Sequence, residues 1–310
     1  MTARRSSLTY SVIIPAFNAE TTIERAVASV LAQSAPPLEI IVVDDGSDVS
    51  LEEAWTTVPE TVRLLRQDNQ GAASARNRGI EAAHGDLIAF LDADDYWVSD
   101  KMRRQISAFE AYPKLQVSGG AFLEEDCSGE QRLRRAGPIV EWSRHPHRLS
   151  GPDLFTAACT LWTGTVVVRQ DHLGERRFKT GWEPAEDREL WLRLVRDAAV
   201  MFHREPLAVA VLEPNSLSRT AIDRDCRNML RVIREGKKEL GWRHSRRWRL
   251  KTYRRWAAEY LGARNRAAWA PAFYRWFGEP WSMEATWVIV RSLGLMWNQR
   301  PSSKGKLTAR

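Results

Sequence analysis

The chain has 310 residues, 44% hydrophobic and 27% charged, enough for a buried core in two domains or one domain with an appendage, and too ordinary a composition for a disordered, collagen-like or disulfide-framed protein. The net charge of +7 is unevenly placed: residues 241–310 hold 15 Lys and Arg against 3 Asp and Glu, with 8 of the 14 Trp, while the remainder is net acidic. Three cysteines, at 127, 159 and 226, lie too far apart for a zinc knuckle or local redox pair and suit a reducing cytosol.

The uncharged run 154–168 spans 15 residues, short of the about 20 that cross a bilayer. The apolar run 12–17 contains Pro15 and no small-residue cleavage site follows it, so no signal peptide is expected.

In chain order, 12–15 reads as a strand and 21–33 as a helix with Ile23, Val27, Val30 and Leu31 on one face. Residues 38–43 form the next strand, 51–57 a short helix, 62–66 a strand, 72–83 an alanine-rich helix stopped by Gly85, 87–91 a buried strand and 101–111 a helix. This alternation builds a mostly parallel α/β sheet with helices on both faces. The middle of the chain is less regular, with strands expected near 116–122, 166–169 and 199–202 and a helix over 187–195. From 221 onward the pattern is helical, broken near Gly241, Gly262, Pro271 and Pro280. The expected division is a sheet domain over 1–220, a basic Trp-rich helical region over 221–300 and a disordered tail over 301–310.

Ligands of open α/β sheets bind at the carboxyl ends of the strands, and acids sit at those ends here. The first strand runs into Pro15-Ala16-Phe17-Asn18, the second into Asp44-Asp45-Gly46-Ser47, and the strand from Leu87 into Asp92-Ala93-Asp94-Asp95. Two carboxylate clusters at neighbouring strand ends repel unless a cation or donors stand between them. An Asp-x-Asp offers hard oxygen ligands suited to Mg²⁺ or Mn²⁺ on a phosphate-bearing substrate; it also suits a solvated turn. Neither a dinucleotide-type G-x-G-x-x-G nor a G-x-x-x-x-G-K-[ST] phosphate loop is present.

Four segments in this order, SVIIPAFN, IIVVDDGSD, NQGAASARNRGIEAAHGDLIAFLDADD and AEDRELWLRL, resemble the family 2 glycosyltransferases over roughly residues 10–220. The resemblance implies the Rossmann-like GT-A fold, with a helical C-terminal appendage here. It also implies an enzyme of the hexosyltransferase class that transfers sugar from a nucleotide diphosphate, with inversion at the anomeric carbon. By the same resemblance Pro15, Ala16 and Phe17 line the nucleoside pocket, Asp45 accepts from the base with a lean to uracil, and Asp44 shapes that loop. Asp92, with Ala93 beside it, faces the ribose, and Asp94 binds Mn²⁺ or Mg²⁺ on the donor diphosphate, while Asp95 is a weaker ligand or a helix cap. Arg76 and Asn77 lie where a guanidinium meets the donor, or Arg76 is an ordinary exposed helical residue. Phe17 fits plain core equally well.

Asp187 matches the family's general base, which takes the proton of the acceptor hydroxyl. Its place before an apolar-periodic helix favours an ionised carboxylate, and equally an N-cap. Glu186 and Trp182 are candidates for contact with acceptor or sugar, Trp182 alternatively being core. Two departures from the family stand out. Glu213 occupies the place where many relatives have a His before Ser216-Leu217-Ser218, so that either Arg219 serves donor closure or Glu213 touches the metal. The Gln-x-x-Arg-Trp of processive synthases is missing its Gln in TYRRW (252–256) and AFYRW (272–276), which implies one sugar per encounter.

In the tail, Leu250, Tyr253, Trp256, Ala257 and Tyr260 recur at helical spacing with Arg247, Arg249, Arg254 and Arg255 interleaved, and Trp276 belongs to a second such stretch. The pattern fits docking on an anionic membrane, hence a cytoplasmic protein peripheral to the inner face of the cell membrane. It also fits a small helical bundle, whereas no nucleic-acid-binding module is recognisable. The expected partners are a nucleotide-sugar donor, a glycan or lipid-linked acceptor of surface-polysaccharide assembly, and that membrane. A non-catalytic sugar- or nucleotide-binding scaffold of the same fold is the rival. A sugar-nucleotide-forming nucleotidyltransferase lacks its Gly-x-Gly-Thr-Arg start.

Overall fold

The computed structural model describes residues 8–55, 57–134, 145–212 and 222–262, which fall into two compact units divided after Trp242. The centre of the first unit is β1 (Tyr10–Ala16), flanked by parallel β2 (Glu39–Asp44) and β4 (Leu87–Phe90), with β3 (Val62–Arg66) beyond β2. β1 and β2 are Val- and Ile-rich and β4 is wholly apolar because both faces of a parallel sheet are covered, whereas the edge strand β3 carries Arg63 and Arg66. On one face, Val12 and Ile14 pack with Ile23, Val27 and Val30 of α1 (Ile23–Leu31), and with Met102, Ile106 and Phe109 further along the chain. Leu31, expected on the same face as Ile23, is 39% exposed.

On the other face lies α3 (Ala72–Ala82), the helix after the short α2 (Leu51–Ala54). Gly79 lets it approach closely: a Cβ there would come within 2.4 Å of the Ile13 side chain. The helix carrying Met102 is α4 (Lys101–Ala111), as the sequence pattern predicts to the residue.

The sheet continues past β4 in a way the strand pattern does not reveal. Two-residue β5 (Tyr96–Trp97) precedes β6 (Leu115–Gly120), and β7 (Phe122–Glu125), β8 (Gln131–Arg134) and β9 (His147–Arg148) follow. Then come α5 (Pro152–Thr160), a 3₁₀ turn at Thr163–Thr165, β10 (Val167–Arg169), α6 (Gln170–Leu173), α7 (Glu186–Val195), β11 (Ala199–His203) and β12 (Ala208–Val211). The eight-stranded order is β3-β2-β1-β4-β10-β6-β11-β9, with β10 antiparallel to both neighbours, and β5-β12-β7-β8 form a second sheet. The uncharged run 154–168 thus divides among α5, the 3₁₀ turn and β10.

After α8 (Ile222–Glu235), the segment α9 (Lys237–Gly262) carries the expected break at Gly241, where φ is 65°. The first unit therefore takes in α8 and ends just beyond that break. In the second unit the described part of α9 is strongly basic, and Arg243, Arg247, Lys251 and Arg255 are exposed at four-residue steps, one stripe of a helix. Among the described residues no helix is long and apolar enough to cross a membrane. The breaks at Pro271 and Pro280, and residues 301–310, lie outside the described residues.

Candidate active site

The register Ala16↔Asp44 brings the ends of β1 and β2 level. Asp44 is buried at 1% exposure; its Oδ1 accepts the Ser47 amide at 2.9 Å, and its Oδ2 accepts the Leu51 amide at 3.2 Å and an Arg66 guanidinium nitrogen at 2.5 Å. Burial alone would raise its pKa, but the Ser47 hydrogen bonds, the Leu51 amide and Arg66 outweigh it and hold the carboxyl below its ordinary range. Asp44 thus joins the start of the loop after β2 to Ser47, Leu51 and Arg66.

Asp45 accepts Gln67 Nε2 (2.7 Å) and the Gln70 amide (3.0 Å) on Oδ1, and the Gly71 amide (2.8 Å) on Oδ2. A carboxylate has about four acceptor positions, so one remains, on Oδ2. Gly46, at φ 77°, allows this turn to close on the next loop, where a Cβ would meet the Asn69 amide nitrogen at 2.7 Å. Ala16 is buried, Pro15 is half-buried and Phe17 is 50% exposed, so Phe17 is no core residue. Asn18 closes the rim through Asp48 and Ser47.

At the end of β4, Asp92 Oδ1 accepts Arg76 Nη2 at 2.6 Å, Ala93 is buried, and Asp94 is half-buried with its carbonyl accepting Arg25. Asp95 caps no helix: it is buried and its Oδ1 accepts the Val211 amide at 2.8 Å, which ties this loop to the second sheet. Burial, then the charges of Asp94 and Asp92, raise its pKa well above the usual carboxylate range, against the Val211 amide and Arg25. Among the described residues no three His, Cys, Asp or Glu side chains form a metal cage. The donor set nonetheless fits Mg²⁺ or Mn²⁺, which take one or two carboxylates and fill the remaining positions with substrate phosphate oxygens and water. Arg25 reaches the Asp94 carbonyl and Arg76 the Asp92 carboxylate, and the three crowded acids of this loop favour a further positive charge.

The first turn of α7 carries Glu186, Asp187 and Glu189, and the first and last are neutralised. Glu186 Oε1 accepts Arg76 Nη1 at 2.8 Å, and Glu189 pairs with Lys179 at 2.9 Å and Arg193 at 2.7 Å. Asp187 is half-buried and its Oδ1 accepts the Arg188 amide; among the described residues no cation lies within ion-pair distance of it. It is not the N-cap, which is Ala185, but the second residue inside the helix. Its Oδ2 is available to a hydroxyl proton.

Arg76 is 5% exposed and joins Asp92 to Glu186. Burial would lower its pKa, but Asp92 and Glu186 raise it further; Glu186 is raised by burial, against Arg76. Arg76 is thus neither exposed nor turned toward open space. The Asn77 amide pairs with both backbone groups of Phe178, at 2.9 and 2.8 Å, and so fixes the chain before α7. Trp182 has Lys179 at 4.8 Å and Arg231 at 5.4 Å from its ring centroid, so a sugar stacking on it would share the ring with those cations.

Arg219, Glu213 and Trp276 lie outside the described residues, as do the side chains of Arg254 and Trp256. Sequence reasoning missed Arg25, Gln67, Asp225 and Asn228. The last two left a signal: polar residues one turn apart on the face of α8 that also buries Cys226, Val232 and Ile233.

Residues 11–177 match the family model described as Glycosyl transferase family 2. The chain is 40% identical over 189 residues, 60% of its length and 70% of the relative's, to the UDP-Glc:alpha-D-GlcNAc-diphosphoundecaprenol beta-1,3-glucosyltransferase WfgD of Escherichia coli. Across other curated relatives the matched share runs from 81% of the relative's length down to 30%. The fold is that of S. aureus TarS 1-349 in complex with UDP-GlcNAc (TM-score 0.61, 17% identity, 93% of this chain and 80% of that one). It is also that of the Pyrobaculum calidifontis mannosyltransferase PcManGT with GDP-Man and Mn²⁺ (TM-score 0.59, 16% identity, 96% and 89%).

Because the folded pKa of Asp44 lies below that of the unfolded chain, its contribution to stability is complete above the unfolded value, about 3.9, and is lost as pH falls through the lower folded value. Denaturant unfolding of wild type and Asp44→Asn from pH 7 to pH 2 should show a deficit in the variant at pH 7 that shrinks below pH 4. A deficit independent of pH would contradict the described role of this carboxylate.

Proposed function

The chain belongs to glycosyl transferase family 2, and from that premise we propose that it transfers one sugar, with inversion, from a UDP-activated donor to a hydroxyl of a glycan or lipid-linked acceptor in surface-polysaccharide assembly. The observation that carries the reading is Asp187: of three acids in one helical turn it alone has no ion pair among the described residues, while its neighbour Glu186 is tied through Arg76 to Asp92. The Arg188 guanidinium, held by Asp225 at 3.1 Å, adds positive charge near Asp187 without closing it in an ion pair, and a base needs an open carboxylate oxygen. The UDP-sugars named for the Escherichia coli relative and the S. aureus neighbour support the donor, and the diphosphoundecaprenol in that relative's name supports the acceptor class.

In this reading the open position on Asp45 Oδ2 takes the base N–H, Phe17 flanks the nucleoside and Asp92 turns its second oxygen to the ribose. Asp94 would hold Mn²⁺ or Mg²⁺, and the bound ion would supply positive charge to the departing diphosphate; the Mn²⁺ of the Pyrobaculum neighbour supports the choice. Asp187 Oδ2 accepts the acceptor hydroxyl proton as that oxygen bonds to the anomeric carbon from the face opposite the nucleotide. The bond to the diphosphate breaks with its electron pair leaving on the phosphate oxygen.

Asp187→Asn fills the same space and cannot take the proton, so kcat should fall by about 100-fold or more with the UDP affinity unchanged by calorimetry. Turnover within threefold of wild type would remove the base from this residue. In the same titrations Asp94→Ala should lose the Mn²⁺-dependent part of UDP affinity.

The stripe of exposed cations on α9 supports docking of the second unit on the anionic inner face of the cell membrane, where each basic residue contributes roughly 1 kcal/mol and salt screens it. Exchanging Arg243, Arg247, Lys251 and Arg255 for Gln should weaken cosedimentation with vesicles containing phosphatidylserine and spare transfer to a soluble acceptor. Undiminished cosedimentation at every salt concentration would contradict docking.

A further inference from the structure

Helix α8 lies past the stretch that the family model matches, yet it grips the turn that carries the candidate base. Asn228, 3% exposed, donates through Nδ2 to two successive backbone carbonyls, Trp182 at 2.8 Å and Glu183 at 3.0 Å. Its Oδ1 accepts Arg231 at 3.2 Å, so the amide is held at both ends. Three residues earlier on the same face, Asp225, 1% exposed, accepts Arg188 on Oδ1 at 3.1 Å. Arg188 immediately follows Asp187 and supplies the amide that holds Asp187 Oδ1.

Burying an amide and a carboxylate among Cys226, Val232 and Ile233 costs stability unless each finds partners, and the amide NH₂ and the carboxylate Oδ1 find them on the 182–188 turn. The close seat of the helix's far end reinforces this: a Cβ on Gly236 would come within 2.8 Å of Phe155 and 3.1 Å of Leu192. Since α5 and α7 already fix the far end, the two polar contacts determine where the near end holds the turn.

We infer that Asp225 and Asn228 are positioning residues for the transfer reaction, setting the direction of the Asp187 carboxylate by clamping the residues on either side of it. The inference rests on the reading of Asp187 as the base. Arg76 holds the same turn from the donor side through Glu186, so the base stands between two clamps. Displacing a reacting group by about 1 Å costs on the order of 100-fold in rate. Asp225→Asn, nearly isosteric, and Asn228→Asp, which replaces the donating NH₂ by oxygen, should therefore lower kcat by about 10- to 100-fold while donor KM and UDP affinity stay as in wild type.

The decisive comparison places each substitution in wild type and in the Asp187→Asn background of the full chain, with melting curves to confirm folding. With the base gone there is nothing to aim, so the expected further change in kcat is less than twofold. The same fractional loss in both backgrounds would mark a merely structural role and overturn the inference, as would kcat within twofold of wild type in the single variants. If Asn228→Asp does not fold, Asp225→Asn carries the comparison alone. Should Asp187→Asn itself turn over like wild type, the base reading falls first and this inference with it, an outcome read from that variant alone.

Discussion

A guanidinium at 5% exposure has almost no water to stabilise its charge, and Arg76 can be buried because Asp92 lies 2.6 Å from one nitrogen and Glu186 2.8 Å from the other. The converse holds for the carboxylates, which crowd the carboxyl ends of the strands and would repel one another without it. Removing one member of such a buried arrangement typically costs about 3–5 kcal/mol, although the whole set is often no more stable than apolar replacements. What it supplies is geometry. Asp92 belongs to the loop after β4 and Glu186 to the first turn of α7, so a side chain of α3 sets the distance between that loop and the turn that presents Asp187.

The other contacts extend the same logic outward. Asp44 and Asp45 tie the loop after β2 to the segments after β3, Asp95 ties the loop after β4 to β12, and Asn77 fixes the chain ahead of α7. Each loop at this edge of the sheet is thus restrained by a carboxylate or amide whose partner lies far away in sequence. Asp45 Oδ2 and Asp187 Oδ2, which keep open positions, are among the groups to which substrate contacts are proposed.

Much of this frame could be read from the sequence because the physics is local. Strands buried on both faces need apolar runs, and β1, β2 and β4 have them. The acids fall at strand ends because that is where a parallel sheet opens. Direction and partnership were not legible. Nothing in Val166-Val167-Val168 reveals that β10 runs antiparallel, and β5 and β8 are too short or too exposed to show alternation. Arg76 looks like a residue of a solvated helix or a donor ligand until Glu186, 110 positions later, folds against it. Asp187 looks like a cap until the helix is seen to begin before it. Asp225 and Asn228 could have been noticed as polar interruptions of an apolar face, but what they hold depends on tertiary structure.

The central claim, that Arg76 couples the loop after β4 to the first turn of α7, is tested most directly by a double-mutant cycle in unfolding free energy with Arg76→Gln and Glu186→Gln. Partners in direct contact show coupling of about 0.5–3 kcal/mol, whereas independent sites add within about 0.3–0.5 kcal/mol. The account predicts a coupling near 2 kcal/mol or above on this scale, the double variant being less impaired than the two singles together imply. Additive destabilisation, or a coupling below about 0.5 kcal/mol, would contradict it.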